Sequence, residues 1–274
     1  MSLRGKIAIA GLTDTGLVRD HNEDAIRIDD GIGLVVLADG MGGLKAGEVA
    51  SAMAVDVIAR DVRDVLKGID AGQSDAESGY AYESLAVGRA VIKANETIFH
   101  VAQTQPQCAG MGTTLVVLLF YDNRLTVAHV GDSRLYRLRE GTMEQVTTDH
   151  SLVQELVERG FYTPAEARAA TNKNIVTRAL GIGPEVDYDM QEDVALVGDT
   201  FLLCSDGLSD MLEDAQIHTI LRENQDNLDE AARMLVNAAN ECGGRDNISV
   251  VLARVDRSFP VRSGWFSRLV NWFD

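Results

Sequence analysis

Cysteine is scarce in this chain: Cys108, Cys204 and Cys242 are odd in number and include no Cys-x-x-Cys pair. That excludes a disulfide framework and a thiolate zinc site, and it fits a reducing cytoplasm. Long apolar runs are missing too. Nothing approaches the roughly 20 apolar residues that span a bilayer, and the run Ile7 to Leu12 is too short for the apolar region of a signal peptide. No Pro/Ser-rich linker, low-complexity tract or internal repeat divides the 274 residues, so one domain is expected. Basic charge is in short supply as well. Lys and Arg number 25 against 42 Asp and Glu, a formal net charge of −17, which excludes a broad basic face for nucleic acid. With 46% hydrophobic and 24% charged residues, the chain has ample material for a folded core.

Apolar runs rich in Val, Leu and Ile at residues 33–38, 115–121, 125–130, 135–138, 201–204 and 248–255 predict strands. Asp122-Asn123 between two of them predicts a tight antiparallel hairpin over residues 115–130. Helical spacing runs from Ala50 to Leu66, from Val87 to Val101 and from Leu228 to Ala239, each with an apolar stripe on one face. Hairpins with one-sided helices outside them indicate a layered α+β domain rather than a parallel βαβ array. Residues 150–180 are helix-prone but lack a strong apolar stripe.

Aspartates followed at once by glycine, asparagine or serine recur at the ends of these runs. Asp39-Gly40, Asp132-Ser133 and Asp206-Gly207 follow strands, and Asp246-Asn247 precedes the last one. One Asp-Gly pair alone reads equally well as a turn. Four such acids beside apolar strands, far apart in sequence, are costly to gather unless something positive lies between them. Oxygen-only ligands suit hard divalent cations, magnesium, manganese or calcium, rather than zinc. Bound cations also reconcile the acidity with phosphate chemistry, because they reverse the local field. Asp39 is the choice for a ligand shared between two ions, since Gly40 lets the backbone carbonyl approach closely.

Arg19-Asp20-His21-Asn22-Glu23-Asp24, Asp39-Gly40-Met41-Gly42-Gly43, Gly112-Thr113-Thr114, Gly131-Asp132-Ser133-Arg134, Ser205-Asp206-Gly207 and Arg245-Asp246-Asn247 occur in one order. Taken together they resemble the metal-dependent (PPM, type 2C) serine/threonine protein phosphatases, as a compact bacterial member, over about residues 8–255. The resemblance implies a four-layer α-β-β-α sandwich of two antiparallel sheets flanked by helices, with metals at one end. It also implies a mobile flap near residues 150–180, where the residues alone allow an ordinary surface helix pair. The phosphatase domain would span residues 1–257.

By that resemblance, two Mn2+ or Mg2+ ions are held by Asp39, the Gly40 carbonyl, Asp206 and Asp246, and Asp132 with Asp206 holds a weaker third. A hydroxide bridging the two ions would attack phosphoserine or phosphothreonine directly, with no phosphoenzyme, because no cysteine or histidine sits in a nucleophile motif. Glu23 and Asp24 are expected to act through metal-bound waters, the alternative being a solvated acidic turn. Arg19 is the phosphate clamp, or else a surface ion pair with Asp20 or Asp24. Gly112-Thr113-Thr114 and Asn247 are expected to buttress the acids by hydrogen bonds. No family histidine follows the Asp-Gly pair, where Met41 and Leu44 stand instead. His21 is therefore the candidate general acid, with a structural histidine or a metal-bound water as alternatives.

The partners expected are phosphorylated proteins and their serine/threonine kinase, in a cytoplasm and without nucleic acid. A non-catalytic phosphoprotein-binding module is the rival on the same fold. A two-metal phosphodiesterase is a second rival, against which stands the lack of histidine in these motifs. Beyond the resemblance, residues 258–274 form a tail. Trp265, Phe266, Leu269, Val270, Trp272 and Phe273 share one helical face there, for docking on this domain, a partner or, with its single Arg268, less favourably a membrane.

Overall fold

The strand runs are continuous rather than alternating because both faces of each central strand are covered. The computed structural model describes residues 3–42, 46–69, 72–163, 166–167, 170 and 175–260. Gly43, Leu44, Pro164 and the amphipathic segment from Gly264 lie outside the described residues.

In chain order the strands are β1 (Ile7–Asp14), β2 (Asp24–Asp29), β3 (Leu34–Met41), β4 (Gly112–Thr113), β5 (Leu115–Tyr121) and β6 (Arg124–Val130). They continue with β7 (Arg134–Arg139), β8 (Thr142–Gln145), β9 (Asp189–Val194), β10 (Thr200–Cys204) and β11 (Ile248–Val255). One sheet runs β1-β11-β10-β7-β8; the other runs β2-β3-β5-β6-β9, with β4 paired to β3. All of these pairings are antiparallel. The hairpin predicted at residues 115–130 is present: Asp122 and Asn123 both take positive φ, at 44° and 54°, the pair of left-handed residues that a two-residue turn between twisted strands requires.

Helices α1 (Ala46–Leu66) and α2 (Tyr82–Thr104) cover the second sheet, and helices Asp214–Glu223 and Leu228–Glu241 cover the first. The result is the expected four-layer α-β-β-α order, and the strand pleat assigns each residue to a layer. In β3, Leu34, Val36 and Ala38 pack under α1 and α2, while Val35 and Leu37 point at the other sheet. In β11, Ile248, Val250 and Leu252 face helix Leu228–Glu241, and Val251, Ala253 and Val255 face the sheet opposite. Each such valine, leucine or isoleucine side chain, fully buried, contributes about 1.5–3 kcal/mol of transfer free energy. The layer between the sheets is closed by Phe120, edge-on to Phe201 at 5.6 Å and to Phe259 at 6.2 Å. Phe259 is fully buried, so packing continues past the last strand.

Strands β1, β2, β8 and β9 carry weaker patterns. β8 is short and polar, β9 bears charge on both faces, and both lie at sheet edges, where solvent covers one side. In the 150–180 region the described part includes one helix, α3 (Leu152–Glu158), capped by Ser151 Oγ, which accepts from Gln154 N–H. Bridges Ser151 to Val176 and Thr113 to Leu180 fasten the segment to the body.

Candidate metal and phosphate site

Asp24 and Asp39 are direct cross-strand partners at one end of the second sheet, where β2 begins and β3 approaches its end. At the same end of the sandwich, Asp206 opens the short helix Asp206–Ser209 after β10, and Asp246 lies just before β11. Asp132 follows β6 and is 9% exposed. Convergence follows from the pleat: Asp39 continues the Val35, Leu37 series, so its side chain rises from the layer between the sheets at the point where that layer opens.

Backbone contacts hold each acid. The carbonyl of Asp39 accepts from Thr113 Oγ1 and from Thr114 N–H, both at 2.8 Å, and its own N–H donates to Thr114 Oγ1 at 3.0 Å. Asn247 spans the entry loop: its Oδ1 accepts from Glu23 N–H at 2.8 Å, and its Nδ2 donates to the carbonyls of Thr15 and His21 at 2.9 and 3.0 Å. Gly40 and Gly207, the glycines after two of the acids, owe their identity to close backbone approach. A Cβ at Gly40 would lie 2.2 Å from the Gly47 carbonyl of α1, and one at Gly207 would lie 1.9 Å from the Asn247 carbonyl.

Asp24 sits deeper than a solvated turn. Its Oδ2 accepts from Ser205 Oγ at 2.8 Å, and its Oδ1 is buried with no hydrogen-bond partner among the described residues. Glu23 is less buried, and His21 Nε2 lies 3.5 Å from its Oε1 with the imidazole 42% exposed. Arg19 reaches Asp246 rather than Asp20 or Asp24: Nη2 donates to Oδ2 at 2.6 Å. Among the described residues no ion pair involves Asp24, Asp39, Asp132 or Asp206.

The electrostatic result is a set of carboxyls held above their ordinary range. Burial, and then the charges of Asp24, Asp206, Asp132 and Asp246, keep the Asp39 carboxyl well above the usual range. Asp206 is raised in the same way, by burial and then by Asp132, Asp246 and Asp210. Asp24 is pushed up to about 6 by burial, against the pull of its hydrogen bond from Ser205. Burial, and then Asp149, raise Asp132 to about 6. An all-oxygen donor set, an orphaned buried carboxylate oxygen and mutual repulsion together fit hard divalent cations, which reverse the local field and let every acid ionise.

Among the described residues the tightest set of ligand atoms lies elsewhere, where His129, His150 and Asp189 each offer one atom within 4.8 Å of the others. The aspartates are spread more widely around their basin. Beside it a cavity of about 650 Å³ runs from Asp132 and Asp206 past Asp149 to Val153 and Val157 of α3. Cys204 is fully buried, and burial pushes its thiol up to about 12, so it stays an inert core residue.

Sequence reasoning named Thr114 only as part of the buttressing Gly112-Thr113-Thr114 run, and it passed over Ser205 Oγ, Ser51 and Gly47. Ser205 Oγ joins Asp24 to the Ser249 N–H, Thr114 Oγ1 meets Ser133 Oγ at 2.8 Å, and Ser51 Oγ donates to the Glu23 carbonyl at 2.5 Å. Ser205 belongs to a motif that was visible; Ser51 and Gly47 lie on α1 with no local signal.

The chain matches the family described as Protein phosphatase 2C over residues 18–252. It is 41% identical over 246 residues to serine/threonine protein phosphatase PstP of Mycobacterium tuberculosis, covering 90% of this chain and 44% of that protein. Serine/threonine phosphatase stp of Listeria innocua is 37% identical over 243 residues, covering 88% of this chain and 92% of that one. The crystal structure of the PstP catalytic domain in complex with two manganese ions superposes with a TM-score of 0.78 at 38% identity, covering 90% of this chain and 97% of that one. The chain thus spans less than half the length of PstP.

Proposed function

The chain belongs to the protein phosphatase 2C family, and on that premise we propose that it removes phosphate from phosphoserine and phosphothreonine in proteins, opposing a serine/threonine kinase in the cytoplasm. Asp39, the Gly40 carbonyl, Asp206 and Asp246 would hold two Mn2+ or Mg2+ ions, and Asp132 with Asp206 a weaker third. When bound, such ions supply an activated water near neutral pH and positive charge for the phosphoryl oxygens.

The chain's own residues do the rest. Thr113, Thr114 and Asn247 fix the backbone on either side of the acids, so the carboxylates need no rearrangement when a cation arrives. Asp24, anchored by Ser205, keeps one free oxygen at the floor of the basin, and Glu23 is positioned to orient water at its rim. Arg19 offers paired guanidinium donors to two phosphate oxygens at the half-exposed mouth. His21, beside Glu23 and open to solvent, is the candidate proton donor to the leaving serine or threonine oxygen. Residues 1–257 carry the activity in this proposal. The tail, 258–274, serves contact with the domain or a partner.

The observation that carries the proposal is the gathering of Asp24, Asp39, Asp132 and Asp206 with no arginine or lysine paired to them among the described residues. The test is phosphate release from phosphothreonine and phosphoserine peptides by the full chain with Mn2+ or Mg2+. Release that stops on chelation is expected. No release with either ion, or turnover of a cyclic diester in place of the peptides, would overturn it.

A further inference from the structure

His129 and His150 belong to none of the acid motifs, yet both are buried, with stacked rings whose centroids are 4.7 Å apart. With Asp189 their atoms are close enough for a metal centre. The protons argue otherwise. A neutral imidazole has one lone pair, and that of His150 is already used: Nδ1 accepts from Gly131 N–H at 3.1 Å. Its proton therefore sits on Nε2, which faces Asp189 Oδ2 at 3.5 Å. Arg178 Nη1, itself a donor and so a neighbour rather than a hydrogen-bond partner of the protonated Nε2, stands 3.3 Å from it and donates to Asp189 Oδ1 at 3.2 Å, so a cation already fills the corner. A metal would have to strip the Nε2 proton and displace the guanidinium.

The same residue holds Gly131 a second time. His150 N–H donates to the Gly131 carbonyl at 2.9 Å, so both polar backbone groups of Gly131 are engaged by His150. Gly131 has φ +100°, and a Cβ there would meet Thr114 Cγ2 at 2.6 Å. It is therefore a position that only glycine fills, with no side chain of its own to anchor it, and it immediately precedes Asp132. On its other side the His150 carbonyl accepts from Thr177 N–H at 2.8 Å, and Leu152 N–H donates to the Ile175 carbonyl at 2.9 Å. His129 completes the arrangement: its Nε2 lies 2.8 Å from the Thr148 carbonyl and its ring packs against that of His150.

We infer that His150 is a positioning residue: through its double hold on Gly131 it sets where Asp132 stands in the aspartate basin, and it ties that acid to the end of the 150–180 segment. The Gly131 N–H on Nδ1 and the Asp189 carboxylate facing Nε2 fix the imidazole tautomer of the hold, and Arg178 keeps Asp189 in place. The effect on cation binding rests on the phosphatase proposal; the effect on Gly131 does not.

The test uses the isotope-labelled full chain. Nitrogen spectra of the His150 ring should show the neutral Nε2–H tautomer between pH 6 and 8, unchanged by an equivalent of zinc. An Nδ1–H tautomer, or ring shifts on adding zinc, would overturn the inference. His150→Asn keeps an acceptor near the position of Nδ1, and His150→Ala removes it. The alanine variant should exchange its Gly131 amide hydrogen about tenfold faster or more and, by calorimetry, bind Mn2+ about 10–100-fold more weakly, whereas the asparagine variant should stay within about threefold of wild type on both. Equal behaviour of the two variants would sink it. The ring spectrum is read on the wild type, so it stands even if the alanine variant fails to fold.

Discussion

Strand β10 has an aspartate at each end, and the two are treated in opposite ways. Asp199, before the strand, is 1% exposed and fully matched: Arg139 donates to both carboxylate oxygens at 2.8 and 2.7 Å, and Leu196 N–H adds a third bond at 2.8 Å. Asp206, after the strand, faces Asp132, Asp246 and Asp210 with no guanidinium among its described ion-pair partners. The first end is built to be stable as it stands. The second stores repulsion, which a bound cation relieves, so the same residue type serves structure at one end and binding at the other.

Removing charge from the aspartate basin and from the Arg139 pair tests that contrast most directly. Asp39→Asn should lower metal-dependent phosphopeptide turnover by about a thousandfold or more, while the metal-free variant melts no lower than wild type, since a repelled carboxyl has been removed. A lower melting temperature without metal would break the comparison.

The pH response gives the next effect. Asp24 titrates at about 6 in the folded chain against an ordinary value of 3.8, so the folded state binds that proton more tightly than the unfolded state does. The penalty it imposes is absent below about pH 4, grows as pH rises to about 6 and is constant above. With chelator present, Asp24→Asn should therefore gain stability relative to wild type across that window. A gap in melting temperature that does not widen from pH 4 to 6 would show that Asp24 is matched after all.

Asp199→Ala, at the other end, should cost about 3 kcal/mol in denaturant unfolding by stranding Arg139 and an N–H of the turn, yet leave kcat near wild type well below the melting point. Arg19→Lys is the smallest of these changes. Its ion pair with Asp246 is half exposed, so metal-free stability should move by less than about 1 kcal/mol. KM for a phosphopeptide should nonetheless rise about tenfold, because lysine lacks the paired donors. Unchanged KM would remove Arg19 from the phosphate.

Much of the central fold was legible because its strands are apolar on both faces and its helices on one, and these patterns survive without knowledge of neighbours. The 115–130 hairpin could be placed by its Asp122-Asn123 turn. Edge strands β8 and β9 were not legible, since exposed polar strands without an apolar run resemble loops. In the site, the motif acids were visible one by one, as was the role of Thr113 and Asn247 beside them. The depth of Asp24 was not: it depends on Ser205, 181 residues away. Nor was the reason for Gly40, which a carbonyl on α1 imposes.

By itself, then, the order of residues established the chemistry on offer: oxygen donors at strand ends, too little positive charge to neutralise them, and layers of strands and helices to carry them. Tertiary structure alone decided which acids share a basin, which find an arginine, and that two buried histidines serve a peptide bond rather than a metal. Hydrogen bonds and Coulomb interactions act over a few ångströms in space, and chain order reports such proximity only where the partners are also neighbours in sequence.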